Sequence, residues 1–269
     1  MQFFHISIGG GITGVETIIS TINQIEKAIK SKKKTKKKII FAIIDKNPEN
    51  IPGGIAYGLK KSLYGYFNNP LRLSPVKFTN WILKKNNKIK LINYLKVYGG
   101  YTGTGWLKKN NKKFFYKSKN QLKEIYIPRA LMNYWMEEKL IFLLKKIKTK
   151  KSPFLIKFFK GEVTKLIKQK KFYKIKFKNN KFEELDYKIL KGKNKNLIFK
   201  KNKNLKGMLS SKNINVGLGL PPPKQIATSN ASKSSNYIWD FYSEGGTENL
   251  LKIIKKMAVS KKFIKILFI

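Results

Sequence analysis

The sequence lacks cysteine and contains a single histidine, His5, among its 269 residues. The absence of cysteine excludes disulfides, thiolate catalysis and cysteine-ligated metal or iron–sulfur centres. A lone histidine argues against a Cys/His zinc site and against the histidine-based triad of many hydrolases. Because His5 lies within a short apolar, β-rich run, we expect it to occupy a packed or edge position in a strand.

Acidic residues and arginine are also scarce. The chain has 14 Asp and Glu against 59 Lys and Arg, which gives a net charge of +45, and only Arg72 and Arg129 are arginine. Lys, Asn, Ile, Phe and Tyr are abundant, as an AT-rich gene would encode, so compositional drift is one origin of the charge. A selected site for nucleic acid or an anionic membrane is the other. Both origins predict non-specific, salt-sensitive polyanion binding.

The chain has no uncharged apolar run of the roughly 18 residues that a membrane-spanning helix needs. The first residues, MQFFHISI, lack a basic segment and lead directly into glycines, so they do not resemble a secretory signal. Apolar residues make up 42% and aromatic residues 13% of the chain. This composition is typical of a folded protein, and we expect a cytoplasmic one without a membrane span.

The first 45 residues predict a βαβ unit. Residues 3–8 form an apolar run, SIGGGITG follows at 7–14, and residues 12–29 carry apolar side chains at helical spacing. A lysine tract then leads to the continuous apolar run at 39–44, which ends at Asp45. Continuous apolar runs are typical of strands that are buried on both faces of a parallel sheet.

Glycines at these positions suit a dinucleotide-binding turn. Gly9 permits a tight turn, Gly11 lets the backbone approach a pyrophosphate, and Gly14 lets the helix pack closely on the strand. The helix amino terminus offers N–H groups to phosphates, and Asp45 is placed to accept hydrogen bonds from ribose hydroxyls. Asp45 lies 31 residues after Gly14, more than the usual value of about 20, and the lysine tract explains most of the excess. A chance glycine-rich turn is the alternative. The candidate residues of this turn are Gly9, Gly10, Gly11, Thr13 and Gly14.

The middle of the chain predicts loops and helices. Residues 48–75 are rich in Gly, Pro and Asn, and one or two short helices are expected at 78–96. GGYTGTG at 99–105 is interpreted as a surface loop, since no apolar strand leads into it. Pro128 opens a further helix, which continues over 130–147.

The remainder predicts strands. Residues 154–199 contain several strand-like runs, with a hairpin turn at Asn179 and Asn180, and 214–219 is a short buried strand. A short helix is expected at 247–257, and the last residues form another strand-like run. Together these elements predict an α/β fold of Rossmann type, with a mostly parallel sheet, an inserted loop and helix segment at about 46–150, and a β-meander.

Several blocks occur in a familiar order: IGGGITG, GGIAYG, FNNPLRLSP, YIPRALMNYW, NVGLGLPPP and IWDF. This order resembles the FAD/NAD(P)-binding family related to flavin-dependent N-hydroxylating monooxygenases, which includes the FAD-dependent urate hydroxylase and aspartate N-monooxygenase type. The resemblance implies an FAD-binding domain over residues 1–219 and oxidoreductase chemistry. The sequence VGLG departs from the small-residue A-T-G of the family, which puts flavin packing there in question.

The same resemblance implies further cofactor-binding residues. Tyr57 and Asn69 would line the flavin pocket, and Gly219 would form a turn close to FAD. Both arginines fall inside the matching blocks, and arginine has a planar fork of donors that lysine cannot imitate. The hypothesis is that Arg129 contacts FAD or its phosphates and that Arg72 lines the flavin or substrate region; the alternative is that both are surface charges.

In the family, a second glycine turn for NAD(P)H follows the region matched here. Residues 220–269 are expected to form a linker, a short helix and the start of that NAD(P)-binding part. The chain therefore resembles an amino-terminal portion of a longer flavoprotein, with an incomplete NAD(P)H site or with a partner chain that completes it. Two alternatives stay open, a non-catalytic flavin-binding remnant or partner subunit and a basic nucleic-acid-associated protein. The sequence identifies no catalytic acid or base.

Overall fold

The computed structural model describes residues 2–30, 38–58, 65–67, 70–110, 125–149, 152–191 and 196–216. These residues form two compact units, one from the described parts of 2–58 and 136–216 and the other from those of 65–135. The strands are β1 (Gln2–Ile8), β2 (Ile39–Asp45), β3 (Phe154–Lys160), β4 (Val163–Lys168), β5 (Tyr173–Ile189) and β6 (Leu197–Val216). The helices are α1 (Ile12–Lys30), α2 (Gly54–Tyr57), α3 (Val76–Ile82), α4 (Lys88–Tyr98), α5 (Gly100–Asn110) and α6 (Ala130–Ile147).

The first unit contains the predicted βαβ arrangement. Strand β1 pairs in parallel with β2 on one side and with β6 on the other, and β2 pairs in parallel with β3. Helix α1 connects β1 to β2. The prediction from the two apolar runs and the helical spacing between them is therefore confirmed, and β1 is a central strand.

The sheet as a whole is mixed and closes on itself. Strand β5 pairs antiparallel with β6 and β4, and its second half also pairs antiparallel with β3. The strands β3, β2, β1, β6 and β5 thus form a closed ring of five. The α/β class is correct, but the prediction of a mostly parallel sheet is wrong. The antiparallel strands β4, β5 and β6 belong to the same sheet as the parallel strands and do not form a separate meander.

The predicted hairpin turn at Asn179 and Asn180 is wrong. Both residues have left-handed backbone conformations, with φ of 52° and 50°, but they lie inside strand β5, and β6 pairs with β5 on both sides of them. The register shifts between Lys176 and Lys181. Asparagine tolerates the left-handed region, and extra residues in one strand bend it, so this bulge turns the second half of β5 towards β3.

Strand β6 is longer than the sequence pattern indicates. The runs at 196–199 and 214–219 were expected to be separate strands, but β6 is continuous from Leu197 to Val216. Its early residues pair with β5 and its last residues pair with β1. Residues 200–204, between the two predicted runs, are all exposed, so the apolar pattern there is too weak to mark a strand. Residues 217–219 lie outside the described residues.

Aromatic and aliphatic side chains fill the first unit. One cluster of buried residues contains Phe3, Ile6, Ala42, Ile44, Phe159, Ile175, Phe177 and Phe182. The apolar face of α1 is buried as well. Two ion pairs join α1 to the part of α6 that belongs to this unit, Glu16 with Lys139 and Glu26 with Lys146. Helix α1 is therefore held at the position from which its amino terminus faces the glycine turn.

The second unit is helical and rich in stacked aromatic rings. Tyr94 stacks on Tyr134 with ring centroids 4.1 Å apart. Stacked, tilted and edge-on contacts extend this cluster to the rings of Phe67, Phe78, Trp81, Tyr98 and Trp135. The short helices expected at 78–96 are confirmed as α3 and α4. Among the described residues, no helix is long and apolar enough to cross a membrane.

The surface loop predicted at 99–105 is wrong, since Gly100–Asn110 is helix α5. A Cβ on Gly99 would lie 2.8 Å from the Cα of Gly103, and one on Gly103 would lie 3.3 Å from the Cδ2 of Leu95. The glycines thus permit close packing of α5 against α4. Trp106 and Leu107 are buried, and this tertiary packing outweighs the poor helix propensity of glycine.

Candidate functional site

The glycine turn joins β1 to α1 in the first unit. Gly9 has a φ of 97°, which favours glycine strongly over any residue with a side chain. Its N–H donates to the carbonyl of Ile44 on β2 at 2.7 Å. The predicted tight turn at Gly9 is therefore confirmed, and a hydrogen bond from the neighbouring parallel strand holds it.

Asp45 contacts the turn directly. Its Oδ2 accepts a hydrogen bond from the Gly10 N–H at 2.6 Å, and its Oδ1 accepts one from the Asn47 N–H at 2.7 Å. Burial raises the pKa of the Asp45 carboxyl, while backbone donors, those of Asn47, Gly10 and Lys46, act in the opposite direction. The structure thus brings the acid at the end of β2 to the glycine turn, as the sequence pattern requires.

Gly10 and Gly14 have no room for a side chain. A Cβ on Gly10 would lie 2.4 Å from the Cγ1 of Ile51, and one on Gly14 would lie 2.1 Å from the Gly9 carbonyl oxygen and 2.4 Å from the Oγ of Ser7. The close packing of helix on strand predicted for Gly14 is confirmed. The contact between Gly10 and Ile51 was not predicted, because the segment after β2 carries no signal of where it folds back.

Gly11 faces the backbone of Gly54. A Cβ on Gly11 would lie 3.6 Å from the Cα of Gly54, and Gly54 itself has a φ of 62°. The GGIAYG block therefore folds against the glycine turn, with the amino end of α2 beside Gly11. The approach of a pyrophosphate to Gly11 stays a prediction.

The amino terminus of α1 completes the candidate site. The Val15 N–H donates to the Gly11 carbonyl at 3.0 Å, so the N–H groups of the preceding helical residues, Thr13 among them, belong to the first turn, which has no earlier helical carbonyls as partners. This first turn contains no acidic residue. It therefore presents N–H groups and the positive end of the helix dipole, with the Asp45 carboxylate close by.

The remaining sequence-predicted residues belong to α2, to the second unit or to segments outside the described residues. Tyr57 is half-buried in α2 of the first unit, and its N–H donates to the Gly53 carbonyl at 3.2 Å. Arg72 and Arg129 belong to the second unit. Asn69 and Gly219 lie outside the described residues, so their roles stay predictions.

The two arginines differ in their surroundings. Arg129 precedes α6, and its Nε donates to the carbonyl of Tyr66 at 2.8 Å, while its backbone N–H donates to the Gly65 carbonyl at 3.0 Å. Arg129 thus ties the 65–67 segment to the start of α6. Arg72 is exposed on a single 3₁₀ turn, Leu71–Leu73. Their roles towards FAD stay predictions.

Sequence reasoning missed the hydrogen bonds that join three buried polar residues next to the turn. His5 and Ser7 lie on β1, Asn215 lies on β6, and all three are buried. His5 is packed in a central strand, so the packed position is confirmed and the edge position is wrong. The signal that could have found His5 and Ser7 together was their alternation, which places both on one face of a strand whose other residues from Phe3 to Ile8 are apolar.

Glu137 is a further buried carboxyl in the first unit. Its Oε1 accepts a hydrogen bond from the Leu197 N–H at 2.9 Å, and its Oε2 has no hydrogen-bond partner among the described residues. Burial raises the pKa of Glu137 to about 7. The described contacts of the glycine turn do not include Glu137, so we assign it no role there.

Comparison of the chain with protein-family profiles, with curated proteins and with solved structures finds no match. The argument for function therefore depends on the geometry of the glycine turn and on the residues around it.

Proposed function

We propose that the chain binds FAD at the glycine turn of its first unit and belongs to the oxidoreductase class. The observation that carries the proposal is the 2.6 Å hydrogen bond from the Gly10 N–H to the Oδ2 of Asp45. It joins a glycine-rich strand-to-helix turn to the acid that ends the adjacent parallel strand. Dinucleotide-binding folds use this combination to hold a pyrophosphate and a ribose at neighbouring positions.

The donors and acceptors present suit such a ligand. The first turn of α1 supplies N–H groups for the pyrophosphate. The two oxygens of the Asp45 carboxylate accept from the backbone N–H groups of Gly10 and Asn47, and the Lys46 N–H also acts on this carboxylate. A carboxylate has about four acceptor positions, so capacity remains for a ribose hydroxyl. A bound flavin would supply the redox chemistry, and the chain's own residues would bind and orient it.

The net charge of +45 complicates any test, since a strongly basic protein attracts every polyphosphate. A pair of matched variants separates this general attraction from binding at the proposed site. Asp45→Asn and Asp186→Asn each remove one negative charge, but Asp186 is exposed on β5, remote in sequence from the glycine turn. The experiment titrates FAD into the parent protein and both variants and follows the quenching of flavin fluorescence.

We expect Asp45→Asn to weaken FAD binding about 10-fold or more, since hydrogen bonds to charged groups contribute about 1.5–3 kcal/mol. Asp186→Asn should leave the affinity unchanged or raise it slightly. If both variants bind FAD equally well or more tightly than the parent, general electrostatic attraction explains the binding and the proposed site is wrong. FMN lacks the adenosine ribose, so its binding should not respond to Asp45→Asn.

Polyanion binding is the second candidate function, and the exposed lysines of β6 favour it. Lys200, Lys201, Lys203, Lys206 and Lys212 are all exposed on this strand. Lys201 and Lys203 also form ion pairs with Glu183 and Glu184 on β5. Binding of duplex RNA or DNA that weakens steeply with salt and shows no sequence preference would fit this surface.

A further inference from the structure

We infer that His5, Ser7 and Asn215 form a positioning network that fixes the first peptide of the glycine turn for dinucleotide binding. This inference rests on the proposed function. The Nε2 of His5 lies 2.5 Å from the Oδ1 of Asn215, and the Nδ2 of Asn215 donates to the Oγ of Ser7 at 3.0 Å. The Ser7 hydroxyl in turn donates to the Gly9 carbonyl at 3.1 Å.

The network runs in one direction. Because the Asn215 amide donates to Ser7 through its nitrogen, its oxygen faces His5, and the imidazole must donate from Nε2. Burial lowers the pKa of His5, so the ring is neutral at pH 7 and carries a single N–H. Ser7 has one hydroxyl hydrogen, and donating it to Gly9 leaves the Ser7 oxygen to accept from Asn215. Water competes little with these hydrogen bonds, because all three side chains are buried.

The result is a peptide that is held at both ends. The Gly9 carbonyl accepts from Ser7 at 3.1 Å, and the N–H of the same peptide, on Gly10, donates to Asp45 at 2.6 Å. Asn215 supports the first contact from β6, and Asp45 supplies the second from β2. Since β2 and β6 are the two neighbours of β1, both flanking strands orient this peptide. Orienting it before the ligand arrives reduces the ordering cost of binding.

Two variants test the network by FAD titration. Ser7→Ala removes the donor to Gly9 without adding volume. Asn215→Asp replaces the amide donor by an acceptor of nearly the same shape, which draws the Ser7 hydroxyl away from Gly9. We expect each variant to weaken FAD binding about 3- to 10-fold, the effect of one net hydrogen bond or slightly more.

Ser211→Ala is the matched control. Ser211 is also a buried serine of the β1–β6 pair, but it pairs with Phe3 at the end of β1 that is remote from the turn, and its hydroxyl donates to the Asn213 carbonyl at 2.7 Å. Ser7→Ala and Ser211→Ala should lower the free energy of unfolding to a similar degree in urea titrations. Only Ser7→Ala should weaken FAD binding, which a purely structural role for Ser7 would not explain.

The protonation of His5 gives a readout that does not depend on ligand. His5 is the single histidine of the chain, so one pair of imidazole ¹⁵N signals reports its tautomer by NMR. We expect the Nε2–H tautomer. Two results would overturn the positioning network and leave the proposed function standing. One is the Nδ1–H tautomer of His5, and the other is unchanged FAD affinity in Ser7→Ala while the parent protein binds FAD. A parent protein that does not bind FAD would overturn the proposed function and, with it, the positioning role.

Discussion

At the residue scale, two buried ionisable side chains give the folded state opposite responses to pH. Glu137 has its pKa raised to about 7 by burial, whereas burial lowers the pKa of His5. Both residues are nearly inaccessible to solvent. Desolvation therefore favours the neutral form of each side chain. A separate prediction about the free energy of unfolding follows for each residue.

Glu137→Gln should stabilise the protein at alkaline pH. Folded Glu137 holds a proton that the unfolded chain releases between the ordinary pKa of 4.5 and about 7, so stability falls as pH rises through this interval. The full penalty is present above it and amounts to roughly 3 kcal/mol at 1.36 kcal/mol per pKa unit. Urea titrations should show Glu137→Gln more stable than the parent at pH 8 and about equal to it near pH 4.5. Equal stability of the two proteins at pH 8 would contradict this account.

His5→Gln should protect the protein at acidic pH. The unfolded chain binds a proton at His5 below its ordinary pKa of 6.5, and the folded protein resists that proton. The parent should therefore lose stability as pH falls below 6.5, by at most about 1.4 kcal/mol per pH unit. Glutamine places an amide N–H where His5 has Nε2–H, so the variant keeps the donor to Asn215. Identical loss of stability in parent and variant between pH 6.5 and 5 would show that His5 does not titrate in this way.

Some residues of the candidate site could be identified from the sequence and others could not. Gly9, Gly14 and Asp45 could be identified, because a tight turn, a close helix contact and an acid after a strand leave local signals. Asn215 could not, since it lies 208 residues from Ser7, and only the parallel pairing of β6 with β1 brings the two together.

At the element scale, the bulge in β5 explains how the sheet closes. Asn179 and Asn180 were predicted to form a hairpin turn, and both do have left-handed backbone conformations. The chain does not reverse at these residues, because β6 pairs with β5 both before and after the bulge. Likewise, the glycines at 99–105 gave the pattern of a loop, while burial of Trp106 against its neighbours favours a helix. Local sequence predicts where the backbone can adopt unusual conformations, but long-range pairing and packing decide whether a turn, a bulge or a helix forms there.

Substitutions at Asn180 test the role of the bulge. Its φ of 50° costs a β-branched residue about 1–2 kcal/mol, whereas glycine adopts it freely. We expect Asn180→Val to lower the free energy of unfolding by about that amount and Asn180→Gly to change it little. Asn204→Val is the control, because Asn204 is exposed on β6 and pairs regularly with Glu183. Equal effects of valine at both positions would show that the left-handed conformation is absent in solution.

At the scale of the whole molecule, the net charge of +45 and the proposed FAD site predict different kinds of binding. Charge attracts any polyphosphate and is screened by salt, with a Debye length of about 3 Å at 1 M. A built site adds hydrogen bonds that the N–H groups of the α1 amino terminus donate and that Asp45 accepts, and salt weakens these much less. The charge was fully evident from composition, but composition could not distinguish these two modes.

The most direct measurement of the central claim is a comparison of FAD and tripolyphosphate binding by the parent protein at low salt and at about 1 M salt. The account predicts that tripolyphosphate binding is lost at high salt, while FAD binding persists with its affinity reduced only modestly. If FAD affinity falls in parallel with that of tripolyphosphate, or if FAD does not bind at either salt concentration, the glycine turn is not the proposed FAD site.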